Sequence, residues 1–172
     1  MVGEKESNGS AVRYLRGEQR VDGSWFGRWG VNHIYGTGSV LSAFAAAGED
    51  MSQPYVRRAV SWLLARQNDD GGWGESCLSY VDPSSIGRGP STASQTAWAL
   101  LGLQAAGDSS DEVVAEAVER GAGYLVETQE EDGQWLEDEF TGTGFPGDFY
   151  IKYHLYRNYW PLMALGRYAS RM

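Results

Sequence analysis

Two kinds of hydrophobic pattern alternate along the chain. Residues 55–67 carry their apolar side chains on one face, which predicts an amphipathic helix on the outside of a fold. The positions on that face are Val56, Val60, Leu63 and Leu64. Residues 38–48 and 92–107 are apolar nearly all round and end on glycine, which predicts helices buried on every side. The alternation therefore predicts an outer and an inner layer of helices.

A motif of glutamine, glycine and tryptophan occurs three times and marks the end of each outer helix. The glycine follows the glutamine by four residues and is preceded by aspartate, and the tryptophan follows the glutamine by six. The copies are Gln19-Gly23-Trp25, Gln67-Gly71-Trp73 and Gln129-Gly133-Trp135. Because Asp-Gly ends a helix and reverses the chain, each copy predicts a helical hairpin. Repeats at about 10–48, 52–107 and 109–172 therefore predict an all-α layered toroid.

Two interpretations of the repeated side chains are open. In the structural one, the tryptophan covers the turn and the glutamine amide bonds backbone groups at helix ends, which otherwise lack partners. In the other, both side chains bind a sugar or another ligand. The structural interpretation is favoured, because a binding site would hardly be rebuilt at every turn of the repeat.

Local signals place several helix ends. The polar residues 1–9 predict a frayed end, and Ser109 with Glu112 forms a candidate capping box for the third outer helix. The third inner helix is predicted near residues 157–170. Pro161 either starts that helix or kinks it.

Length and charge narrow the classes of function. The chain of 172 residues is long enough for one domain with a core, or for a piece of a larger protein. A net charge of -9 disfavours nucleic acid and direct attraction to anionic lipid. No apolar run approaches the roughly 20 residues of a membrane-spanning helix. One cysteine, Cys77, permits no internal disulfide and favours a reducing, cytosolic setting.

The stretch "TGTGFPGDFYIKYHLYRNYW", residues 141–160, concentrates seven aromatic rings in twenty residues. Glycines at 142, 144 and 147 and Pro146 surround Phe145 and Phe149, so the first half cannot form an ordinary helix. A core gains apolar volume more simply from leucine on a helix. Rings fixed on an irregular turn therefore indicate a functional surface.

Long motifs carry a resemblance to a known family. The Gln-x-x-x-Gly-x-Trp repeat resembles the QW motif of class II triterpene cyclases. The stretches "DGSWFGRWGVNHIYGTG", "NDDGGWGE", "STASQTAWAL" and "TGTGFPGDFYIKY" are similar to the C-terminal segment of squalene–hopene cyclase, over nearly the whole chain. The resemblance implies an α/α barrel of six hairpins, of which this chain forms about half. It also implies an enzyme that cyclises squalene to hopene and hopanol through carbocations in a closed apolar cavity.

The resemblance also implies roles for single residues. Phe145 and Phe149 are similar to paired phenylalanines that stabilise cations during later ring formation. Tyr153 and Tyr156 resemble tyrosines of the cavity wall nearer the early cations, and Ile151 resembles a shaping residue between them. An aromatic face suits this task because it attracts a cation without being a nucleophile. Core packing is the alternative for each of these residues.

Two further aromatic residues match earlier in the chain. Trp29 resembles a tryptophan of the squalene pocket, and Tyr35 resembles a tyrosine near the catalytic acid that assists its water-linked hydrogen bonds. Both could instead be ordinary core residues. His33 stands where a tyrosine is common, and Lys152 adds a charge that must point away from the cavity. His33 and His154 have no partners at metal-ligand spacing, and a solvent-facing or hydrogen-bonded histidine is the expectation for both.

The family's proton donor is the central aspartate of an Asp-x-Asp-Asp motif, which does not occur in this sequence. Protonation of an alkene needs an unusually strong acid held by its neighbours, so we expect no catalytic acid in this chain and no cofactor. The segment alone is expected to be inactive. The implied partners are a squalene-like isoprenoid and the rest of the cyclase chain, in a parent protein peripheral on the cytoplasmic membrane. A homodimer could cover the open half-ring.

Two alternatives to the cyclase were weighed. Protein prenyltransferase β subunits form a related toroid with zinc, but Ile151 follows Asp148-Phe149-Tyr150 where a histidine ligand is needed. Glu75 and Cys77 are a weak match to the other ligands, so no metal is expected. A non-catalytic helical-repeat module that binds isoprenoids or a protein is the other alternative. It would not require the phenylalanine turn.

Overall fold

Six α-helices and one small β-hairpin make up the computed structural model, which describes residues 2–107 and 111–171. The outer helices are α1 Val2–Gly17, α3 Pro54–Leu64 and α5 Glu112–Glu127. The inner helices are α2 His33–Ala46, α4 Ala93–Ala106 and α6 Tyr156–Ala169. The strands are β1 Gly142–Phe145 and β2 Phe149–Ile151, and two short 3-10 turns span Cys77–Tyr80 and Pro83–Ser85. The helices follow the predicted order, but the prediction that residues 38–48 are buried on every side is wrong, because Ser39, Ala43 and Ala46 on one side of α2 are exposed.

Helix α4 lies at the centre of the molecule. It packs between α2 and α6, and α3 and α5 cover it from outside. All its residues except Ala105 are buried, which confirms the prediction made from its all-round apolar pattern. The Thr92 hydroxyl begins the helix by accepting a hydrogen bond from the Gln95 amide.

Two glycines let the backbones of α2 and α4 come into contact. A Cβ added to Gly102 would lie 2.7 Å from the Gly38 Cα, and one added to Gly38 would lie 2.3 Å from the Trp98 carbonyl oxygen. Neither position has room for a side chain. Gly38 and Gly102 are thus part of the helix packing itself.

Some helix ends differ from the sequence-based expectation. Helix α1 begins at Val2, so the end expected to be frayed is helical. Helix α6 begins at Tyr156, five residues before Pro161, so the proline does not start it. Ser109 of the expected capping box lies outside the described residues. Asp111 caps α5 instead, by accepting from the Val114 amide.

The expectation of an entirely helical chain is wrong at residues 142–151. There β1 and β2 pair antiparallel, with Thr143 opposite Tyr150 and Phe145 opposite Phe149. The Thr143 hydroxyl also donates to the Phe149 carbonyl at 2.7 Å. Glycine and threonine are poor helix formers, and Gly147 with φ +89° allows the reversal between the strands.

Candidate functional site

The three Gln-Gly-Trp turns share one set of hydrogen bonds. Each glutamine Nε2 donates to the carbonyl of its own glycine, at 2.9, 2.8 and 2.8 Å for Gln19, Gln67 and Gln129. Each indole Nε1 donates to the carbonyl ten residues earlier, at 2.7, 2.8 and 2.8 Å for Trp25, Trp73 and Trp135. All three indoles are buried, and the three glycines have φ between +81° and +96°. The motif side chains thus bond the chain to itself.

The segment that carries Trp29 is fixed to the β-hairpin through its backbone. The Trp29 carbonyl accepts from the Thr143 amide at 2.9 Å, and the Val31 amide donates to the Thr141 carbonyl at 3.2 Å. The turn before it is held by Tyr80, whose hydroxyl lies 3.1 Å from the carbonyl oxygens of both Gly27 and Gly30. Residues 29–31 therefore lie along the edge of β1, as a short addition to the hairpin.

Four of the candidate residues join one cluster of aromatic rings. Tyr153 stacks on Tyr156 with centroids 4.7 Å apart, and Trp29 lies 6.4 Å from Tyr153. Trp98 connects this group to Tyr35, with centroids 5.9 Å from Tyr156 and 4.9 Å from Tyr35. We refer to Trp29, Tyr35, Trp98, Tyr153 and Tyr156 as the aromatic cluster. Its members come from α2, α4, α6 and the loops before α2 and α6.

Phe145 and Phe149 form a separate pair on the hairpin. Their rings meet edge to face at 5.8 Å, and 59% and 48% of these residues are exposed. The Phe149 ring lies over Gly144, where an added Cβ would come within 2.2 Å of it. Ile151, at the end of β2, is half-buried and pairs with Gly142. The glycines therefore give the rings flat backbone to pack on, which accounts for the irregular composition of this stretch.

Sequence reasoning missed three residues of this region. Trp98 is central to the aromatic cluster, but the all-round apolar pattern of α4 gives no sign of which face it occupies. Trp160 lies next to it, with ring centroids 6.2 Å apart, and four residues after Tyr156 on the same helix. Because residues four apart lie on the same face of a helix, this spacing could have identified Trp160 from the sequence. Tyr80 stacks on Tyr150 at 6.2 Å, and its position in a short turn offers no periodic pattern to find it.

The aromatic cluster can offer electron-rich surface without a negatively charged nucleophile. A tyrosine phenol is neutral near pH 7, and burial raises the pKa of Tyr156 further, to about 12. A cation close to such rings gains roughly 0.5–2 kcal/mol per contact. Trp29, Phe145 and Phe149 leave about half of each residue uncovered. The arrangement suits a positively charged or apolar ligand.

Two buried carboxylates bind the starts of inner helices. Glu75 accepts from the Ile34 amide of α2 at 2.9 Å, and Glu137 accepts from the Ser94 amide of α4 at 2.9 Å. Burial raises the pKa of both carboxyl groups. Beside Glu75, burial raises the pKa of the Cys77 thiol to about 11. The Oε2 atom of Glu75 thus accepts from the backbone amides of Asn32 and Ile34.

Two of the remaining polar candidates, His33 and Lys152, have protein partners. His33 is buried and lies 3.0 Å from the Ser24 hydroxyl, whereas His154 is exposed. The Lys152 ammonium lies 3.2 Å from Asp138. Within residues 2–107 and 111–171, no three His, Cys, Asp or Glu side chains are grouped as metal ligands. In the same part of the chain, no helix is both long and apolar enough to cross a membrane.

The sequence of this chain matches a known protein family and is similar to named members of it. Residues 2–170 match the family model of the squalene-hopene cyclase C-terminal domain. The squalene–hopene cyclase of Alicyclobacillus acidocaldarius is 58% identical over 160 residues, covering 93% of this chain and 25% of that protein. A probable squalene–hopene cyclase of Sinorhizobium fredii is 54% identical over 160 residues, covering 92% of this chain and 24% of that protein.

A solved structure supports the architecture. A variant of the type II terpene cyclase MstE from Scytonema, in complex with its product merosterolic acid A, superposes with a TM-score of 0.71. The match covers 93% of this chain and 48% of that one, at 23% identity, and so supports the fold alone. This chain spans about a quarter of the length of the relatives named above.

Proposed function

The chain belongs to the squalene–hopene cyclase family as a C-terminal domain, and from this premise we propose that it supplies cavity wall for the cyclisation of squalene to hopene and hopanol. The longer protein would carry out the reaction, in which hopene forms by isomerisation and hopanol forms when the last cation also takes up one water molecule. The observation that carries the proposal is the aromatic cluster, in which residues of three inner helices and two loops join into one surface. An ordinary core would not need five connected rings at one end of the inner helices.

The proposed roles follow from the chemistry of a cation in hydrocarbon. Water would quench such a cation, so the wall must attract positive charge without donating electrons to a bond. We assign Tyr153 and Tyr156 to the early cations and the edge-to-face pair Phe145 and Phe149 to later ring formation. Rings already fixed by backbone pairing and glycine packing need no reorganisation as the charge moves.

Three more residues complete the proposed cavity wall. Trp29 binds the hydrocarbon chain, Ile151 shapes the wall between the phenylalanines and the tyrosines, and Tyr35 assists the hydrogen bonds of the acid. The acid itself belongs to the part of the longer protein outside this chain. No step of the proposal therefore assigns proton transfer to a carboxylate of residues 1–172.

The Gln-Gly-Trp turns are assigned a structural role. Each indole N–H is donated to a backbone carbonyl, which leaves no free donor on the tryptophans for a ligand. We propose that the chain is one partial barrel of three repeats, at about 10–48, 52–107 and 109–172. The longer protein is proposed to attach peripherally to the cytoplasmic membrane, and flotation with lipid vesicles tests this. For the segment alone a homodimer is proposed, which light scattering distinguishes from a 19 kDa monomer.

Replacement of Phe149 in the longer protein tests the cavity wall. Phe149→Ala removes one ring, so a late cation is less stabilised and loses a proton sooner. We expect the share of incompletely cyclised products to rise, measured by gas chromatography and mass spectrometry after incubation with squalene. Tyr14→Ala removes an exposed ring from outer helix α1 and is the matched control. Unchanged product ratios for Phe149→Ala would contradict the cation-stabilising role and would indicate that Phe149 only packs against its neighbours.

A further inference from the structure

The Tyr80 hydroxyl binds the turn that presents Trp29. It lies 3.1 Å from the carbonyl oxygens of both Gly27 and Gly30, two residues before and one residue after Trp29. A phenol carries one proton, so the two carbonyls share a single donor. Both glycines are buried. Removal of the hydroxyl would therefore take a donor away from two buried carbonyl groups, which costs more than the loss of an exposed bond.

The opposite side of the same turn is bound to the β-hairpin. Gly30 pairs with β1, and the Trp29 carbonyl accepts from the Thr143 amide at 2.9 Å. A Cβ added to Gly30 would lie 2.5 Å from the Tyr35 ring, so that ring packs directly on the turn. The Trp29 backbone is thus held between the hairpin and the Tyr80 hydroxyl. A shift of the turn would move both Trp29 and Tyr35.

The Tyr80 ring packs behind the hairpin strand that carries Phe149. It stacks on Tyr150, the next residue of β2, with centroids 6.2 Å apart and an angle of 26° between the planes. Successive side chains of a strand point to opposite faces, so Tyr150 lies on the face away from Phe149. One side chain therefore contacts two segments of the proposed cavity wall, at Trp29 and at Phe149, which are 120 positions apart in the sequence.

Other contacts hold this part of the chain together without the Tyr80 hydroxyl. The Asn32 side chain accepts from the Gly27 amide and donates to the Ser79 hydroxyl, both at 3.1 Å. Glu75 accepts from the Asn32 amide at 3.3 Å. These bonds join the loop before α2 to the same segment that carries Tyr80. Loss of the phenol hydroxyl alone is therefore expected to displace the turn and to leave the fold intact.

We propose that Tyr80 is a positioning residue of the cyclisation, which holds Trp29 through its hydroxyl and the strand of Phe149 through its ring. It sets the spacing between the part of the wall assigned to the hydrocarbon chain and the part assigned to the late cations. Tyr80 does not need to touch the substrate for this. The inference rests on the proposed function and extends it to a residue outside the aromatic cluster.

An ordinary packing role is the alternative for Tyr80, and Tyr124 is a matched example of such a role. The Tyr124 hydroxyl donates to the Ser91 carbonyl at 2.9 Å, and the residue is half-buried, as Tyr80 is. Tyr124 lies on outer helix α5, outside the aromatic cluster and the hairpin, and its bond holds the loop before α4. Substitutions of Tyr124 therefore measure what the loss of a phenol–carbonyl bond does to stability alone.

Replacement of Tyr80 by phenylalanine in the longer protein tests the role of the hydroxyl. Tyr80→Phe keeps the stack on Tyr150, but Trp29 binds the hydrocarbon chain less well. We expect the apparent KM for squalene to rise roughly 2–10-fold while kcat and the product ratios stay nearly unchanged. Tyr124→Phe is the control, with a similar fall in the midpoint of thermal unfolding and no change in KM. An unchanged KM for Tyr80→Phe, a loss of kcat alone, or an equal rise in KM for Tyr124→Phe overturns the proposal.

Replacement of Tyr80 by leucine tests the role of the ring. Tyr80→Leu also removes the stack on Tyr150, so the strand of Phe149 loses its support. We expect the share of incompletely cyclised products to rise, as for Phe149→Ala, and to stay unchanged in Tyr124→Leu. Product ratios do not depend on how much of the enzyme is folded, so a loss of stability cannot imitate this result. Unchanged ratios for Tyr80→Leu contradict the proposed support of the strand.

A double substitution separates the positioning role from the proposed function. If Tyr80 acts through Trp29, the addition of Tyr80→Phe to Trp29→Ala gives no further rise in KM. A further rise as large as that of Tyr80→Phe alone would show that Tyr80 acts independently of Trp29 and would contradict the inference. The proposed function itself fails if Trp29→Ala leaves KM unchanged and Phe149→Ala leaves the product ratios unchanged. The two failures are therefore distinguishable.

Discussion

At the residue scale, His33 is the hydrogen-bonded rather than the solvent-facing histidine of the two expectations for it. It lies at the start of an inner helix and is 1% exposed, with the Ser24 hydroxyl 3.0 Å from its Nδ1 atom. Burial, together with the positive charge of Arg20, lowers the pKa of His33 to about 4. The imidazole is therefore neutral in the folded protein over most of the pH range. It packs against the rings of Phe26 and Trp62 as an aromatic core residue.

This burial predicts a pH dependence of stability. Between pH 6.5 and about 4, the unfolded chain binds a proton at His33 that the folded chain does not, so stability falls as the pH is lowered. At pH 4.5 the loss relative to pH 7 is at most about 3 kcal/mol. His33→Gln is expected to flatten this part of the profile, measured by urea unfolding at several pH values. The exposed His154→Gln is the control, and equal profiles for both variants would contradict the prediction.

The sequence singled out four aromatic residues that lie together in the structure, but not the residue that connects them. Trp29, Tyr35, Tyr153 and Tyr156 stood out by similarity to family motifs, and the structure brings all four into one cluster. Trp98, which joins them, is hidden in a helix whose apolar pattern has no preferred face. The spacing of apolar residues identifies the buried face of a helix only when the opposite face is polar. Helix α4 is apolar on every face, so its sequence does not show where Trp98 lies.

At the element scale, the repeated turn is formed by residues close together in the sequence, whereas the β-hairpin also pairs with residues far away in the sequence. The turn closes within ten residues, so its motif predicts helix ends at α1, α3 and α5 from sequence alone. The β-hairpin is completed by residues 29–31, more than a hundred positions away, which pair with β1. No sequence pattern within residues 141–151 indicates that β1 pairs with residues 29–31. The pairing of residues 29–31 with β1 could therefore not be predicted from the sequence.

Two glycines in different packing environments are predicted to have opposite effects on stability when replaced by alanine. Gly102 lies at the contact between α2 and α4, and Gly123 lies on α5 away from that contact. Gly102→Ala adds a methyl group 2.7 Å from the Gly38 Cα, so the helices must separate, at a cost of roughly 1–3 kcal/mol. Gly123→Ala in α5 meets no atom within 4 Å and should stabilise by roughly 0.5–1 kcal/mol through helix propensity. Urea unfolding measures both. A Gly102→Ala variant as stable as Gly123→Ala would show that the helices have room to adjust.

At the scale of the whole molecule, the three repeats leave one side of the aromatic surface open. Large apolar side chains of α6 and the hairpin are 41–59% exposed, among them Phe145, Phe149, Leu162 and Met163. Patches of this kind on soluble proteins are normally covered by a partner. A cation held here would be open to water. Under the proposed function, this open face is part of the cavity wall, and the rest of the longer protein closes it.

An activity assay tests that dependence. Purified residues 1–172 are expected to form no hopene or hopanol from squalene, because the sequence lacks the Asp-x-Asp-Asp acid and the cavity wall is open to water. The longer protein is the positive control under the same conditions. Detection of either product from the segment alone would refute this expectation.

The carboxylate contacts between repeats also bear on the order in which the chain folds during synthesis. The turn of each repeat is complete within ten residues, but the start of α2 receives its carboxylate from 41 residues later, and the start of α4 from 43. A repeat that has just left the ribosome can therefore close its turn at once, because local contacts form fastest. Its inner helix stays unfinished until the following repeat emerges. The barrel thus grows with one incomplete helix at its newest end, and each new repeat completes the one made before it.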